Sequence, residues 1–535
     1  LEFDLMKPSL RWARNFSVEK QDIEYLTNLL LERETPLDTE TLARALIQER
    51  INKEAAVLRE RYEGARLYNP SLTYAVGQRV IFTEFDYATA VVQNTRIGNN
   101  TDYGEFTVIG VKFDSDDLNT ARKLREFASA LTASHALSET DEQADTFLTM
   151  TDLDLESIME VAHDEIVEKV ANGLKSSADL IHMARKWFPR DLLMDANIGH
   201  LNLAEAVLDI AGGGPMQTSE MIEQIGGLGK APLELQIFSL NYALNKDSRF
   251  DEVGPSGEVL WHLTRLEPQD VQQTPPMLRY TPIDYDRSIL SAALLALESE
   301  IEDEHSAIDP AKVPQEIGTV TIPLTYPHRR LGTLPLSQHT SAIFPTARQT
   351  PRVWFTLVDG QDGEEYPAWA VRKDRYVFGL GKFYRKHKLP IGAYVSVEKS
   401  GEPGKVIVNF RGYKPRTEWI RLIVPKQDGG ITFENQKRAI GAEYDELMIL
   451  GADDLAGVDA AFQTAQHKKS SLASILRNLI PPLGALTPQG TVHAKTLYST
   501  VNILRRCPPG PIFATLTANP DFQNVGGDYW KLSGD

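Results

Sequence analysis

Between Leu334 and Glu398 the hydrophobic period changes from two to helical spacing and back to two, and few small folds accommodate that order. Apolar residues alternate in "RVWFTLV" from Arg352 to Val358, the signature of a half-buried strand. "DGQDG" from Asp359 to Gly363 then marks a hairpin turn, after which "EYPAWAV" resumes the alternation. Val377, Leu380, Phe383 and Tyr384 sit at helical spacing, with Lys382, Arg385, Lys386 and Lys388 forming a cationic face between and after them. "LPIGAYVSVE" returns to strand, so the stretch predicts a small β-barrel wrapped around one basic helix.

The order of pieces closely resembles the DNA-binding pseudobarrel of plant auxin-response factors, also found in the effector domain of some restriction endonucleases. The resemblance rests on the "LPLS" strand start, Phe344-Pro345, the Asp-Gly turn, Trp369 with Arg372, and "YVFGLGKFYRKHKLPIGAYVSV". It implies a seven-stranded-type DNA-binding β-pseudobarrel over residues 331–430. It also implies two DNA-reading arms, one holding Ser337, His339, Thr340 and Arg348, the other Trp369, Arg372, Lys373 and Arg375. On that reading the basic helix lies behind the arms as support.

Charge agrees with this placement. Residues 372–426 carry about +10 in a chain whose total is −18, and Arg411, Lys414 and Arg416 extend the basic run; such concentration favours a polyanion through counterion release. The competing reading is a solvated basic surface neutralised by the acidic half of the same chain. From residue 351 onward the balance is about +5, leaving about −23 on the first 350. No acid occurs from Ala460 to Pro520, where Lys495, Arg505 and Arg506 are the candidate DNA contacts.

At 535 residues the chain has room for three to five domains with substantial cores. Its single cysteine, Cys507, excludes an internal disulfide framework and a multi-cysteine zinc site, which fits a reducing cytoplasm. No apolar run reaches membrane-spanning length, and the first residues lack a basic-then-apolar secretion plan. The expectation is a cytoplasmic protein without a membrane partner, with Met6 a candidate native start.

The organisation predicted is α+β and multidomain. Residues 1–65 read as helical, suiting a helix-turn-helix unit and a plain helical hairpin equally; 66–114 resemble a small SH3-like β-barrel; 115–195 read as an acidic helical region with "SETDEQAD" as an exposed turn. Residues 196–268 hold three helices and two strands around Gly254-Pro255-Ser256-Gly257. Through "GGGPMQTSEMIEQI" and "RFDEVGPSGEVLWHL" they resemble the HARE-type winged helix, which also occurs in the delta subunit of bacterial RNA polymerase. A linker with an amphipathic helix follows over 269–330, and linker and helices over 431–485. Residues 486–535 read as a second winged helix: Phe250, Val253, Gly254, Trp261 and Leu263 match Phe522, Val525, Gly526, Trp530 and Leu532. Glu220, Glu223 and Glu234 suit the first copy to a protein partner, whereas the acid-free C-terminal copy suits DNA.

No catalytic constellation emerges. The chain lacks a Walker loop, a Gly-x-Ser-x-Gly elbow and a His-Glu-x-x-His helix. The nearest approach to a nuclease metal site is Asp359, Asp362, Glu364, Glu365 and Lys373, which read as a solvated turn. Cys507 reads as a core residue rather than a nucleophile activated by Arg505 and Arg506, and His328, His339 and His387 are separated singles. No catalytic residue, cofactor or metal is assigned. The expectation is a non-enzymatic DNA-binding transcription regulator whose acidic N-terminal half engages RNA polymerase or another protein. The alternatives are a target-recognition subunit of a restriction or phage-defence system and a protein-binding scaffold.

Overall fold

The computed structural model describes residues 8–85, 87–100, 103–114, 125–133, 135, 153–307, 318–347 and 350–534. The chain is mixed α/β with several separate sheets, and it divides into two compact units, residues 1–194 with 230–238 and residues 195–229 with 239–535. "SETDEQAD" and Arg348 lie outside the described residues. Among those described, no helix is long and apolar enough to cross a membrane.

In the first unit the helices Lys20–Arg33, Thr39–Arg61 and Leu155–Lys175 bury Leu26, Leu30, Leu42, Leu46, Ile158, Ile166 and Val170 in one core. Asp38 caps the second helix, its carboxylate accepting from the Thr41 backbone N–H. A hairpin of Leu180–Met183 and Lys186–Pro189 follows the third helix and pairs with Leu37–Asp38. Between the second and third helices the chain makes a five-stranded sheet that runs from Ala65–Leu67 to Arg125–Ser129. This sheet passes the expected boundary at 114, because Arg125–Ser129 pairs with Thr107–Phe113 and Phe127 packs on Phe82 with ring centroids 4.4 Å apart. Among its described residues the region 115–195, expected to be helical, contributes three strands and one α-helix.

One topology occurs three times. A helix, a two-residue strand, two helices and a hairpin follow in chain order, and the short strand always pairs with the hairpin's second strand. The second occurrence has Met216–Gln217 against Leu260–Leu263, and the third has Val492–His493 against Tyr529–Leu532. In each, a tryptophan sits opposite an apolar residue of the short strand: Trp187 opposite Leu37, Trp261 opposite Met216, Trp530 opposite Val492.

The second unit also holds a curled seven-stranded half-barrel. Its edge strand Thr319–Pro323 pairs with Tyr394–Lys399, so this sheet begins before the expected boundary at 331. Strand Arg352–Asp359 points Val353, Phe355 and Leu357 inward, as its alternation predicts. The helix Gly381–Lys386 lays Phe383 and Tyr384 into that core, and the Tyr384 hydroxyl donates to the Thr333 carbonyl at 2.8 Å. A separate hairpin, Gly412–Pro425 with Ile431–Ala442, follows. The expected division at 430/431 would cut it at its turn, which Asp428 closes by accepting from the Gly430 N–H at 2.8 Å.

Candidate nucleic-acid interface

This hairpin carries Arg411, Lys414, Arg416 and Lys437 exposed along or beside its strands. Its turn end is anchored: Ile423, Ile431 and Phe433 enter the core made with the C-terminal helices. Along the middle of the ribbon Arg416, Thr417, Trp419, Lys437 and Ala439 face outward, while Ile440 and Ala442 are buried again toward the open end. Trp419 is 63% exposed, opposite Lys437, whose ammonium lies 5.0 Å from the indole centroid. The Arg416 guanidinium lies 5.5 Å from the Tyr413 ring. Arg411 is 82% exposed at its side chain, with the Glu443 carboxylate 3.7 Å away, and Lys414 is exposed. Exposed pairs of this kind are weakly held, so these cations are available to a polyanion. A bulge between Gly412 and Arg416 shifts the register and turns Tyr413 to Arg416 out of strict alternation.

The predicted arms are placed differently from one another. Ser337 and Thr340 are buried: the Ser337 hydroxyl bonds the Glu302 carboxylate, and Thr340 donates to the Pro335 carbonyl at 3.0 Å. His339 faces the same Glu302 carboxylate. Trp369 is covered by Val253, Leu260 and Tyr376 and meets His262 edge-on at 5.1 Å. Ser337, Thr340 and Trp369 consolidate the unit's interior and offer no surface for DNA, a correction to their expected reader roles, whereas His339 is half-buried. Arg372 is half-buried and donates to the Thr350 carbonyl at 2.9 Å, while Lys373 and Arg375 are exposed.

The basic helix is less cationic than its sequence. Lys386 is held by Asp359, Asp362 and Glu364 at 2.8, 2.5 and 2.8 Å, and His387 adds a 2.7 Å contact to Asp359. Burial opposes the Asp359 charge, but hydrogen bonds from Lys386 and His387 hold its pKa below the usual carboxylate value. Three carboxylates of the Asp359 turn therefore enclose an ammonium. Glu365 pairs instead with Lys405 at 2.7 Å. Among the described residues no group of His, Cys, Asp and Glu is arranged to hold a metal ion.

Within the acid-free C-terminal tract, Lys495 and Arg506 are neutralised by carboxylates from elsewhere in the chain. Lys495 is buried against Asp445 and Glu300. Arg506 is buried on Asp303 and Glu304 at 2.8 and 2.7 Å, where the Tyr498 hydroxyl also donates to Asp303 at 2.7 Å. Burial works against the Glu304 carboxylate, yet Arg506 and His328 outweigh it and hold its pKa far below the ordinary range. Arg505 is half-buried and donates to the Ser470 carbonyl at 3.0 Å. Lys495 and Arg506 are thus internal, a second correction, and Cys507 beside them is buried with its thiol pKa pushed up to about 12 by burial.

Of the predicted contacts, Arg411, Lys414, Arg416, Lys373 and Arg375 remain exposed. Sequence reasoning passed over Tyr413, Trp419 and Lys437, although "GYKPRTEWIRLIVP" and "ITFENQKRAIGA" around "KQDGG" carry a hairpin pattern. No family model, curated protein or solved structure matches the chain.

Proposed function

We propose that this protein binds nucleic acid through the Arg411–Ala442 ribbon, as a DNA-binding regulator. The observation that supports this is Trp419, exposed beside Lys437 on a ribbon that also carries Arg411, Lys414 and Arg416. Cations track phosphates and an exposed indole stacks on bases, a combination that suits the displaced or single-stranded face of a duplex. In this reading the seven-stranded half-barrel is the DNA-binding pseudobarrel that its sequence resembles, and the three repeated modules are winged helices serving as protein-facing supports. The five-stranded sheet is then the SH3-like element.

Titrating labelled single-stranded and duplex DNA by fluorescence anisotropy tests the role of Trp419. Trp419→Ala should weaken single-strand binding by about tenfold, the loss of one stacked base, and duplex binding by less. Equal affinities for wild type and variant would remove the ribbon from the interface.

A protein-binding scaffold is the second reading. It draws on the helix Ile198–Ile210, whose Ile198, Leu203 and Ile210 are largely exposed. Loss of a bound partner, with DNA affinity absent in wild type, would favour it.

A further inference from the structure

A half-open cavity of about 500 Å³ in the second unit is lined by four arginines, one carboxylate, Asp453, and several aliphatic side chains. Helices Tyr326–Leu331 and Gly381–Lys386 supply Arg329, Arg330 and Arg385; Ile420, Arg438 and Ile440 come from the hairpin. The two helices meet at Gly332 and Gly381. A Cβ on Gly332 would fall 2.6 Å from the Gly381 Cα, and Gly332 has φ +67°, so this wall requires glycine.

The four guanidiniums are not equivalent. Arg330 pairs with Asp459 at 2.8 Å, and Arg438 with Asp453. Arg329 and Arg385 have no carboxylate partner among the described residues. Arg329 spends its Nε–H on the Leu389 carbonyl at 2.5 Å and lies over the Tyr384 ring, leaving its terminal nitrogens unassigned. Desolvation, and then the neighbouring Arg385 charge, pull the Arg329 pKa down, the mark of a cation placed where it lacks a counter-charge. Arg329 is partly buried, and an incoming anion offsets the desolvation of its charge.

We infer that this cavity is a binding site for a small organic phosphate. Its phosphate would be gripped by Arg329 and Arg385, and its apolar or aromatic body would rest on Leu331, Leu389, Ile420 and Ile440. Paired guanidiniums match the oxygen geometry of a phosphate, and the cavity volume suits a ligand of mononucleotide size. Leu331, Leu389, Ile420 and Ile440 distinguish this site from a surface patch that takes any anion. The inference does not rest on the DNA reading: the cavity shares Ile420, Arg438 and Ile440 with the hairpin, but its proposed phosphate contacts, Arg329 and Arg385, lie on the two helices and not on the ribbon.

Isothermal titration of the full chain with phenyl phosphate, inorganic phosphate and phenol tests it. Phenyl phosphate should bind at one saturable site, at least tenfold more tightly than inorganic phosphate, with phenol not detectably bound. Arg385 is exposed, so Arg385→Gln should leave the fold intact, checked by far-ultraviolet circular dichroism; it should weaken phenyl phosphate binding at least tenfold. Absence of saturable binding, equal affinities for the two phosphates, or unchanged affinity in the folded Arg385→Gln variant would overturn the site.

Discussion

The Trp187 indole N–H donates to the Thr39 hydroxyl at 2.9 Å, and Trp261 repeats the bond to Thr218 at 3.1 Å. Thr39 and Thr218 each open the helix that follows the two-residue strand of their module. In the third module that position is Ala494, and the Trp530 Nε1 is buried without a hydrogen-bond partner. The three-fold repetition thus includes one broken bond, and it places the N-terminal helices in the same pattern as the other two modules.

Ala494→Thr should restore the missing acceptor and stabilise the protein by about 1 kcal/mol, the net worth of a hydrogen bond. Thr218→Ala removes one of two acceptors of the Trp261 indole N–H, with Asn241 Oδ1 remaining at 2.9 Å, and should cost no more than about 1 kcal/mol. Urea unfolding followed by tryptophan fluorescence measures both. A destabilised Ala494→Thr would show that the pocket lacks room for the hydroxyl.

Removing Arg506 should be far more damaging. Asp303 and Glu304 would be left buried with their principal cation gone, so Arg506→Met should lower stability by about 3–5 kcal/mol. The Glu304 pKa is depressed, so its contribution is present above the ordinary carboxylate range and is lost as pH falls through its folded value. Wild type should therefore lose stability on acidification more steeply than Arg506→Met, measured by thermal melts from pH 7 to pH 3.

Glu252 titrates with the opposite sign. Burial raises its pKa from 4.5 to about 7, so its stabilising share is complete below the unfolded value and is lost as pH rises toward 7. Glu252→Gln keeps an acceptor for the Gly254 N–H and removes the charge. It should be near neutral at pH 4 and stabilising by about 1–2 kcal/mol at pH 8, after discounting for solvent screening. Parallel melts at the two pH values check this; equal effects at both would show that Glu252 is ionised at ordinary cost.

Much of the half-barrel was legible because its signals are local. Arg352–Asp359 and Glu365–Val371 pair in the register their alternation implies, and Phe383 and Tyr384 point into the core as their spacing predicts. The second and third modules were also legible, since Phe250 opposite Leu263 and Phe522 opposite Leu532 repeat one pairing. The first was hidden: its hairpin at Leu180–Pro189 closes on Leu37–Asp38 only after the intervening five-stranded sheet.

Charge misled where its partners are distant. A local sum over the C-terminal tract takes no account of Asp303, which Arg506 meets 203 residues away, or of Glu300, 195 residues from Lys495. The same holds for Lys386, which is enclosed by the Asp359 turn 27 residues before it. Exposure, not charge count, separates Lys414 and Arg416 from Lys495 and Arg506.

The most direct measurement compares two charge-removing variants in one salt series. Duplex binding is followed by anisotropy for wild type, for Lys414→Gln/Arg416→Gln/Lys437→Gln on the ribbon, and for Lys468→Gln/Lys469→Gln in the exposed C-terminal tract. The ribbon variant should bind at least tenfold more weakly and lose about two units of log–log salt slope, while the C-terminal variant stays within twofold of wild type. Unchanged binding by the ribbon variant, or equal losses in both, would contradict the assignment of the ribbon as the nucleic-acid interface.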